Sequence, residues 1–323
     1  MLKVQNISFG YNAKTILHNI SFSVEQGQHV SIIGESGSGK STLIKLLYGT
    51  YDLPEGEIFW NDKPILGPKF NLVIGYDFMK YVAQEFDLMP FISVKENIGK
   101  FLSNFFPEEK ERRTTELIAL VDLVEFTDVK VKLLSGGQKQ RVALARAIAR
   151  QPEIIILDEP FSHIDNFQKQ TLRRNLFKYL KEKHISCVVA THDREDVLPY
   201  SDRMIVLNNG KIIASDTPKQ LYKNPEKPLI ASFFDEFNTF EASDLGFQPS
   251  EKTVFIYAHE LEVSNNPLLK LKVTHNYFRG NTYLIEAEFK SRSIFFYHKE
   301  PLALDEFTNI ALTESAKKRL ELE

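Results

Sequence analysis

Apolar and polar positions alternate over Leu2–Phe9 and again over Ile20–Val24, the two-residue period of half-buried strands, with Gly10 ending the first run and Tyr11 in the turn. Gln26-Gly27-Gln28 then turns the chain into His29-Val30-Ser31-Ile32-Ile33, which reads as a buried strand, and Thr42-Leu43-Ile44-Lys45-Leu46-Leu47 opens a helix. Pro54-Glu55-Gly56 breaks the chain before another short strand at Glu57–Trp60. These first strands predict an antiparallel sheet packed beside a central core.

Tyr81-Val82-Ala83-Gln84 is a short β run ending in a polar residue. The loop that follows carries Phe86, Leu88, Met89 and Phe91 around Pro90, a composition that fits either a buried satellite cluster or a docking surface. Val94–Phe126 reads as mostly helical, with Pro107 starting a polar turn of helix, and together this stretch forms a helical insertion over about residues 85–150. Leu134–Arg150 predicts a helix that stops before Pro152, with Ser135 and Gln138 spaced as a capping box. Gly136 and Gly137 in its first turn each cost roughly 0.5–1 kcal/mol relative to alanine. A cap does not need them; close approach of a phosphate does. Glu153–Leu157 is a continuous apolar run ending in Asp158 and Glu159, as a parallel strand buried on both faces would be. Ile185–Ala190 repeats that pattern and ends at Thr191-His192-Asp193. Arg203–Leu207 and Lys211–Ala214 pair across Asn209-Gly210, and the stretch to Phe237 reads as helical, punctuated by Pro218, Pro225 and Pro228. From about Phe240 the chain turns to short alternating segments at Val254–Tyr257, Leu269–Val273, Tyr283–Phe289, Ile294–Tyr297 and Asn309–Leu312, which suggest a small β-barrel.

At 323 residues two domains are expected, and a hydrophobic content of 43% with 26% charged residues is ordinary for a globular protein. A formal charge of −3 and a pI near 6.3 give no electrostatic case for nucleic acid. The single cysteine, Cys187, excludes an internal disulfide, suits a reducing compartment and sits in an apolar run as a core thiol. The N-terminus lacks a signal pattern, and no stretch reaches the roughly 18 apolar residues of a membrane span, so any span is expected from another chain.

The chemistry concentrates in Gly34-Glu35-Ser36-Gly37-Ser38-Gly39-Lys40-Ser41-Thr42, which fits the phosphate-loop pattern G-x-x-x-x-G-K-[ST] between a strand and a helix. Such a loop aims backbone N–H groups and a positive helix end at an anion. Lys40 can reach the β- and γ-phosphates, and the Ser41 hydroxyl can bind Mg²⁺. Functional groups of open α/β sheets gather at the carboxyl ends of strands, where Asp158, Glu159 and His192 fall. Asp158 is then expected to hold Mg²⁺ or its water, Glu159 to polarise the attacking water and His192 to face the γ-phosphate.

With these residues in place the first two-thirds of the chain resembles the ATPase subunit of an ATP-binding cassette (ABC) transporter. Leu134-Ser135-Gly136-Gly137-Gln138 is similar to the signature motif that separates this family from other phosphate-loop ATPases. Around it, in family order, stand the phosphate loop, a Q-loop glutamine at Gln84, a Walker B run ending in Asp158 and Glu159, a D-loop and a switch histidine at His192. Tyr11 matches the aromatic that stacks on adenine. The D-loop reads Ser162-His163-Ile164-Asp165, so His163 departs from the usual Ser-Ala-Leu-Asp while Asp165 is retained. The C-terminal part resembles the oligonucleotide-binding-like (TOBE-like) barrel of importer ATPases for sugars, polyamines, iron or oxyanions, with Tyr257-Ala258-His259-Glu260 where those proteins often carry Arg-Pro-Glu.

The resemblance implies an α/β fold. Residues 1–238 would be the ATPase core, with a mixed sheet and a helical subdomain, and 239–323 a small all-β barrel for regulation or dimerisation. It implies ATP and Mg²⁺, with Gln84 touching the metal, and a head-to-tail dimer in which each ATP lies between one phosphate loop and the partner's Ser135-Gly136-Gly137. It further implies a separate permease, reached through the Phe86–Phe91 loop, and indirectly an extracytoplasmic solute-binding protein. The second ATPase would be another copy or a paralogue, and the protein would sit at the inner face of the cell membrane. The alternatives are an exporter ATPase or a soluble cassette ATPase with no role in transport.

Overall fold

Alternate side chains of the run Ile154–Leu157 enter two different cores. Ile154 and Ile156 pack with Ile32, Leu43 and Leu47, whereas Ile155 and Leu157 pack with Val142, Leu172 and Phe177. A strand covered on both faces has no solvent side to make polar, which is why the run is unbroken. The computed structural model describes residues 1–12, 14–83, 86–246 and 253–320, in two compact units, Met1–Pro218 and Lys219–Glu323.

The first unit begins with β1 (Leu2–Tyr11), β2 (Lys14–Val24), β3 (His29–Ile33), α1 (Lys40–Leu47), β4 (Glu55–Trp60) and β5 (Lys63–Pro64). Four of these strands make an antiparallel sheet ordered β2-β1-β4-β5. β1 does not end at Gly10 but pairs on through Gly10 with Thr15 and Tyr11 with Lys14. A Cβ at Gly10 would collide with the Lys14 carbonyl, so this glycine serves close strand approach and not a strand end.

Next come β6 (Met79–Val82), α2 (Val94–Gly99), α3 (Pro107–Leu120), α4 (Gly136–Ile148), β7 (Ile154–Asp158) and α5 (Asn166–Glu182). They are followed by β8 (Ser186–Ala190), α6 (Arg194–Val197), β9 (Arg203–Asn208) and β10 (Lys211–Asp216). The central sheet runs β10-β9-β3-β8-β7-β6 and is parallel except at the β9–β10 hairpin. There Asn209 and Gly210 take φ of 46° and 69°, the left-handed pair a two-residue Asn-Gly turn demands. α1 and the antiparallel sheet cover one face, while α4, α5 and the packed helices α2 and α3 cover the other. Cys187 lies in β8, fully buried, and burial pushes its thiol pKa up. The parallel order sets the carboxyl ends of β3, β7 and β8 side by side, with Ile32 opposite Ala190 and Ala190 opposite Asp158.

The second unit contains α7 (Pro218–Lys223), α8 (Pro228–Phe234), β11 (Phe237–Glu241), β12 (Thr253–Tyr257), β13 (Leu261–Val263) and β14 (Leu269–Phe278). β15 (Tyr283–Phe289), β16 (Arg292–His298), β17 (Phe307–Leu312) and α9 (Glu314–Arg319) complete it. Five strands form an antiparallel sheet, β13-β17-β14-β15-β16, which curls until its end strands come within 8 Å of one another at Cα, an open half-barrel. The ribbon β11–β12 is tied to it by the buried Asn238, whose amide donates to the Phe295 carbonyl and accepts from the Phe295 N–H, both at 2.7 Å. Neither β11 nor the three-residue β13 has enough alternation to be read from sequence. Arg319 of α9 is buried against Glu260, at 2.5 Å from Nε to Oε1. Among the described residues no helix is long and apolar enough to cross a membrane.

Candidate functional site

β3 ends at Ile33 and α1 starts at Lys40, so six residues turn the chain between them. Gly37 and Gly39 hold φ of 82° and 105°, conformations open to glycine and strained for other residues. Gly39 is the N-cap of α1 and supplies no capping side chain, which leaves the first N–H groups of the helix to be satisfied from outside. At Gly34 a Cβ would collide with the Leu207 carbonyl. Ser38 is 3% exposed, and its hydroxyl has no hydrogen-bond partner among the described residues. A buried unpaired donor beside free helical N–H groups is what an anion would satisfy. Lys40 Nζ donates to the carbonyls of Gly34 at 2.7 Å and Glu35 at 3.0 Å, holding the ammonium over the loop. Burial draws its pKa below the ordinary lysine value, and the charges of Glu159 and then Asp158 oppose that.

The Ser41 hydroxyl donates to Asp158 Oδ1 at 3.3 Å, and the Tyr81 hydroxyl donates to Oδ2 at 3.4 Å. Burial raises the Asp158 pKa, and neighbouring Glu159 adds to the rise. A buried carboxylate beside a hydroxyl is a pair of hard oxygen donors that fits a Mg²⁺ ion shared with phosphate oxygens. Glu159 Oε1 lies 2.8 Å from His192 Nδ1. The Glu159 N–H donates to the Ala190 carbonyl at 2.9 Å, which ties the end of β7 to the end of β8. Thus Lys40, Ser41, Asp158, Glu159 and His192 come together at one edge of the sheet. Gln84 lies outside the described residues. On the other side of the loop Tyr11 stands edge-on to Phe9 and Tyr51, at 5.3 and 5.5 Å between ring centres, with its hydroxyl 3.5 Å from Thr42 Oγ1. It is 40% exposed, an aromatic face open to a planar ligand.

Ser135 caps α4 as the spacing predicts: its hydroxyl accepts from the Gln138 N–H at 3.3 Å, and Gln138 Oε1 accepts from the Ser135 N–H at 2.9 Å. Gln138 is thereby used within its own chain. The two glycines have separate causes. A Cβ at Gly137 would lie 2.8 Å from the His163 carbonyl, so packing of the D-loop requires Gly137, whereas at Gly136 the nearest atom is His163 Cβ at 3.9 Å. Gly137 therefore has a packing reason of its own, whereas none appears for Gly136 among the described residues. His163 also meets Phe86 edge-on at 5.5 Å, and Asp165 is the N-cap of α5. Sequence reasoning missed Gln140 and Tyr81. Gln140 is 1% exposed; its amide donates to the Glu159 carbonyl at 3.1 Å, and its oxygen accepts from the His163 N–H at 3.1 Å. A polar residue on the buried face of a helix was the available signal.

The Phe86 loop is neither wholly core nor wholly free. Phe86 and Leu88 are half-buried against the core, while Phe91 is 71% exposed. Phe86 also forms part of the wall of a cleft of about 420 Å³, with Tyr48, Tyr81, Phe101, Arg146 and Arg150.

The family model described as "ABC transporter" matches residues 17–162. The chain is 34% identical over 306 residues to the Fe(3+) ions import ATP-binding protein FbpC 2 of Haemophilus influenzae, covering 94% of this chain and 82% of that one. It is 34% identical over 275 residues to the sulfate/thiosulfate import ATP-binding protein CysA of Synechococcus elongatus, covering 83% and 78%. It is 28% identical over 327 residues to the spermidine/putrescine import ATP-binding protein PotA of Mycoplasma capricolum, covering 92% and 91%. Among solved structures it is similar to the dimeric ATP-binding cassette MJ0796 bound to ADP and Pi, with a TM-score of 0.59 and 29% identity over 67% of this chain and 98% of that one.

Proposed function

The chain belongs to the ABC transporter family as an ATP-hydrolysing, ATP-binding subunit, and from that premise we propose that it drives solute import through a separate membrane permease. The observation that carries this reading is the cluster itself: a phosphate loop, the buried Asp158 beside the Ser41 hydroxyl and a Glu159–His192 pair meet at the carboxyl ends of adjacent strands. Loop N–H groups and Lys40 hold the phosphates of ATP, and Tyr11 stacks on the adenine. Asp158 and Ser41, with Gln84, hold Mg²⁺, which when bound neutralises developing phosphate charge. Glu159 orients the attacking water, and His192 stabilises the γ-phosphate oxygens. The unit Met1–Pro218 carries this catalysis, and the half-barrel of the second unit serves regulation or extends the dimer.

A second chain completes the site. Ser135, Gly136 and the free N–H groups of α4 present a helix N-terminus for the γ-phosphate of a partner's ATP, and Asp165 reaches across with the D-loop. ATP thus binds the closed dimer preferentially, and hydrolysis removes that preference. The cleft at Phe86 and Phe101 receives a short helix of the permease, which keeps the protein peripheral at the inner face of the membrane. Solute is selected by the permease and an extracytoplasmic solute-binding protein.

Extraction of the tagged protein from gently solubilised membranes tests this. A co-purifying multi-span permease, lost when Phe86 and Met89 are made polar while basal ATPase activity persists, is the expected result. Recovery of soluble partners or ribosomes alone would overturn the transport reading.

A further inference from the structure

Tyr81 belongs at once to the cleft and to the metal-side carboxylate. Its ring leans on Tyr48 at 5.3 Å between centres and forms part of the cleft wall beside Phe86 and Arg146. Its hydroxyl donates to Asp158 Oδ2. On the paired strands Tyr81 stands opposite Ile156, two residues short of Asp158, so only a long side chain with a terminal donor spans the gap. The two oxygens of Asp158 are thereby divided: Oδ2 takes the Tyr81 proton and Oδ1 faces Ser41. Without that donor the carboxylate, 5% exposed, has no other hydroxyl on Oδ2 among the described residues and can turn about its last torsion.

We propose that Tyr81 is a positioning residue, which fixes the Asp158 carboxylate so that Oδ1 and the Ser41 oxygen face a divalent cation together. This rests on the reading of Asp158 and Ser41 as the metal side of the ATP site. Partners that orient a metal-binding group typically change metal affinity by about 10–100-fold when removed. The Tyr81 contact is long, which places the expected effect near the lower end.

The test is Mn²⁺ binding to the full chain loaded with ADP, followed by electron paramagnetic resonance of the free ion. Tyr81→Phe keeps the ring and removes the donor; Tyr81→Met keeps apolar length and serves if the first variant is unstable. Both are expected to bind Mn²⁺ about 10-fold more weakly, with ADP affinity in excess chelator unchanged. Mn²⁺ affinity within twofold of wild type in a folded variant would overturn the proposal, as would an equal loss of ADP affinity without metal. Asp158→Asn is the separate control. If it leaves Mn²⁺ binding intact the metal-side reading itself falls, whatever the Tyr81 variants do.

Discussion

Glu159 places Oε1 2.8 Å from Nδ1 of His192, and it does so from a left-handed backbone with φ of 50°. Successive side chains of a strand point to opposite faces, so two adjacent carboxylates cannot both serve one site while the strand continues. Asp158 keeps strand geometry; Glu159 leaves it and turns back to the same side. That turn costs about 1–2 kcal/mol for a residue with a Cβ. Backbone hydrogen bonds hold it: the Glu159 N–H donates to Ala190, and its carbonyl accepts from the Gln140 amide and from the N–H and hydroxyl of Ser162.

Glu159→Gln keeps the shape and removes the charge that the proposed role in polarising the attacking water needs. Hydrolysis is expected to fall by about 10²–10³, with ATP still bound and the dimer accumulating on ATP addition. Turnover at the parental rate, measured by phosphate release, would remove Glu159 from its assigned role.

Glu159→Gly separates strain from chemistry. Glycine occupies φ of 50° without the Cβ penalty, so the variant should unfold at higher temperature, by about 1 kcal/mol in stability, while hydrolysis is lost. A lower midpoint in calorimetry would mean that the carboxylate contacts outweigh the backbone strain.

The signature glycines should part company. Gly137→Ala forces the His163 carbonyl to move and is expected to lower both stability and activity. Gly136→Ala has room within its own chain, so the melting temperature should hold while ATP-driven dimerisation and turnover drop. Matching losses of melting temperature in the two variants would refute the separation.

His29 is 2% exposed, and burial first, then the Lys181 charge, lowers its pKa from the ordinary 6.5 to about 4; Asp202 and the backbone carbonyls of Ile185 and Tyr200 only partly oppose this. Between those pH values the unfolded chain takes up a proton that the folded chain refuses. Stability is therefore expected to fall as pH drops from 6.5 to 4, by about 3 kcal/mol in total, at one proton's worth of slope. Denaturant midpoints of the wild type against His29→Leu isolate this group from the buried Asp196, whose folded pKa is raised to about 6 and which acts in the opposite sense. Parallel pH curves for the two proteins would rule it out.

The sheet edge was legible because its signals are local: the loop glycines beside Lys40, the apolar run into Asp158, and the Asn209-Gly210 turn each announce themselves within a few residues. The capping role of Ser135 and Gln138 was readable for the same reason. What sequence spacing did not reveal depends on strands far apart in the chain. Tyr81 and Asp158 are separated by 77 residues, and Gly137 needs its missing side chain because of His163. The left-handed turn at Glu159 leaves no compositional mark at all, since a carboxylate was required there for another reason.

Cys187, sealed in the middle of the central sheet, makes the chain its own stopwatch. It is the one sulfhydryl in the sequence, and a thiol reagent reaches it only when the strands around it part. The rate of modification then counts openings of the nucleotide-binding unit without any introduced label. ADP that grips the closed form should slow that count by the factor one plus its concentration over Kd, so a sulfur with no part in catalysis weighs the ligand that catalysis leaves behind.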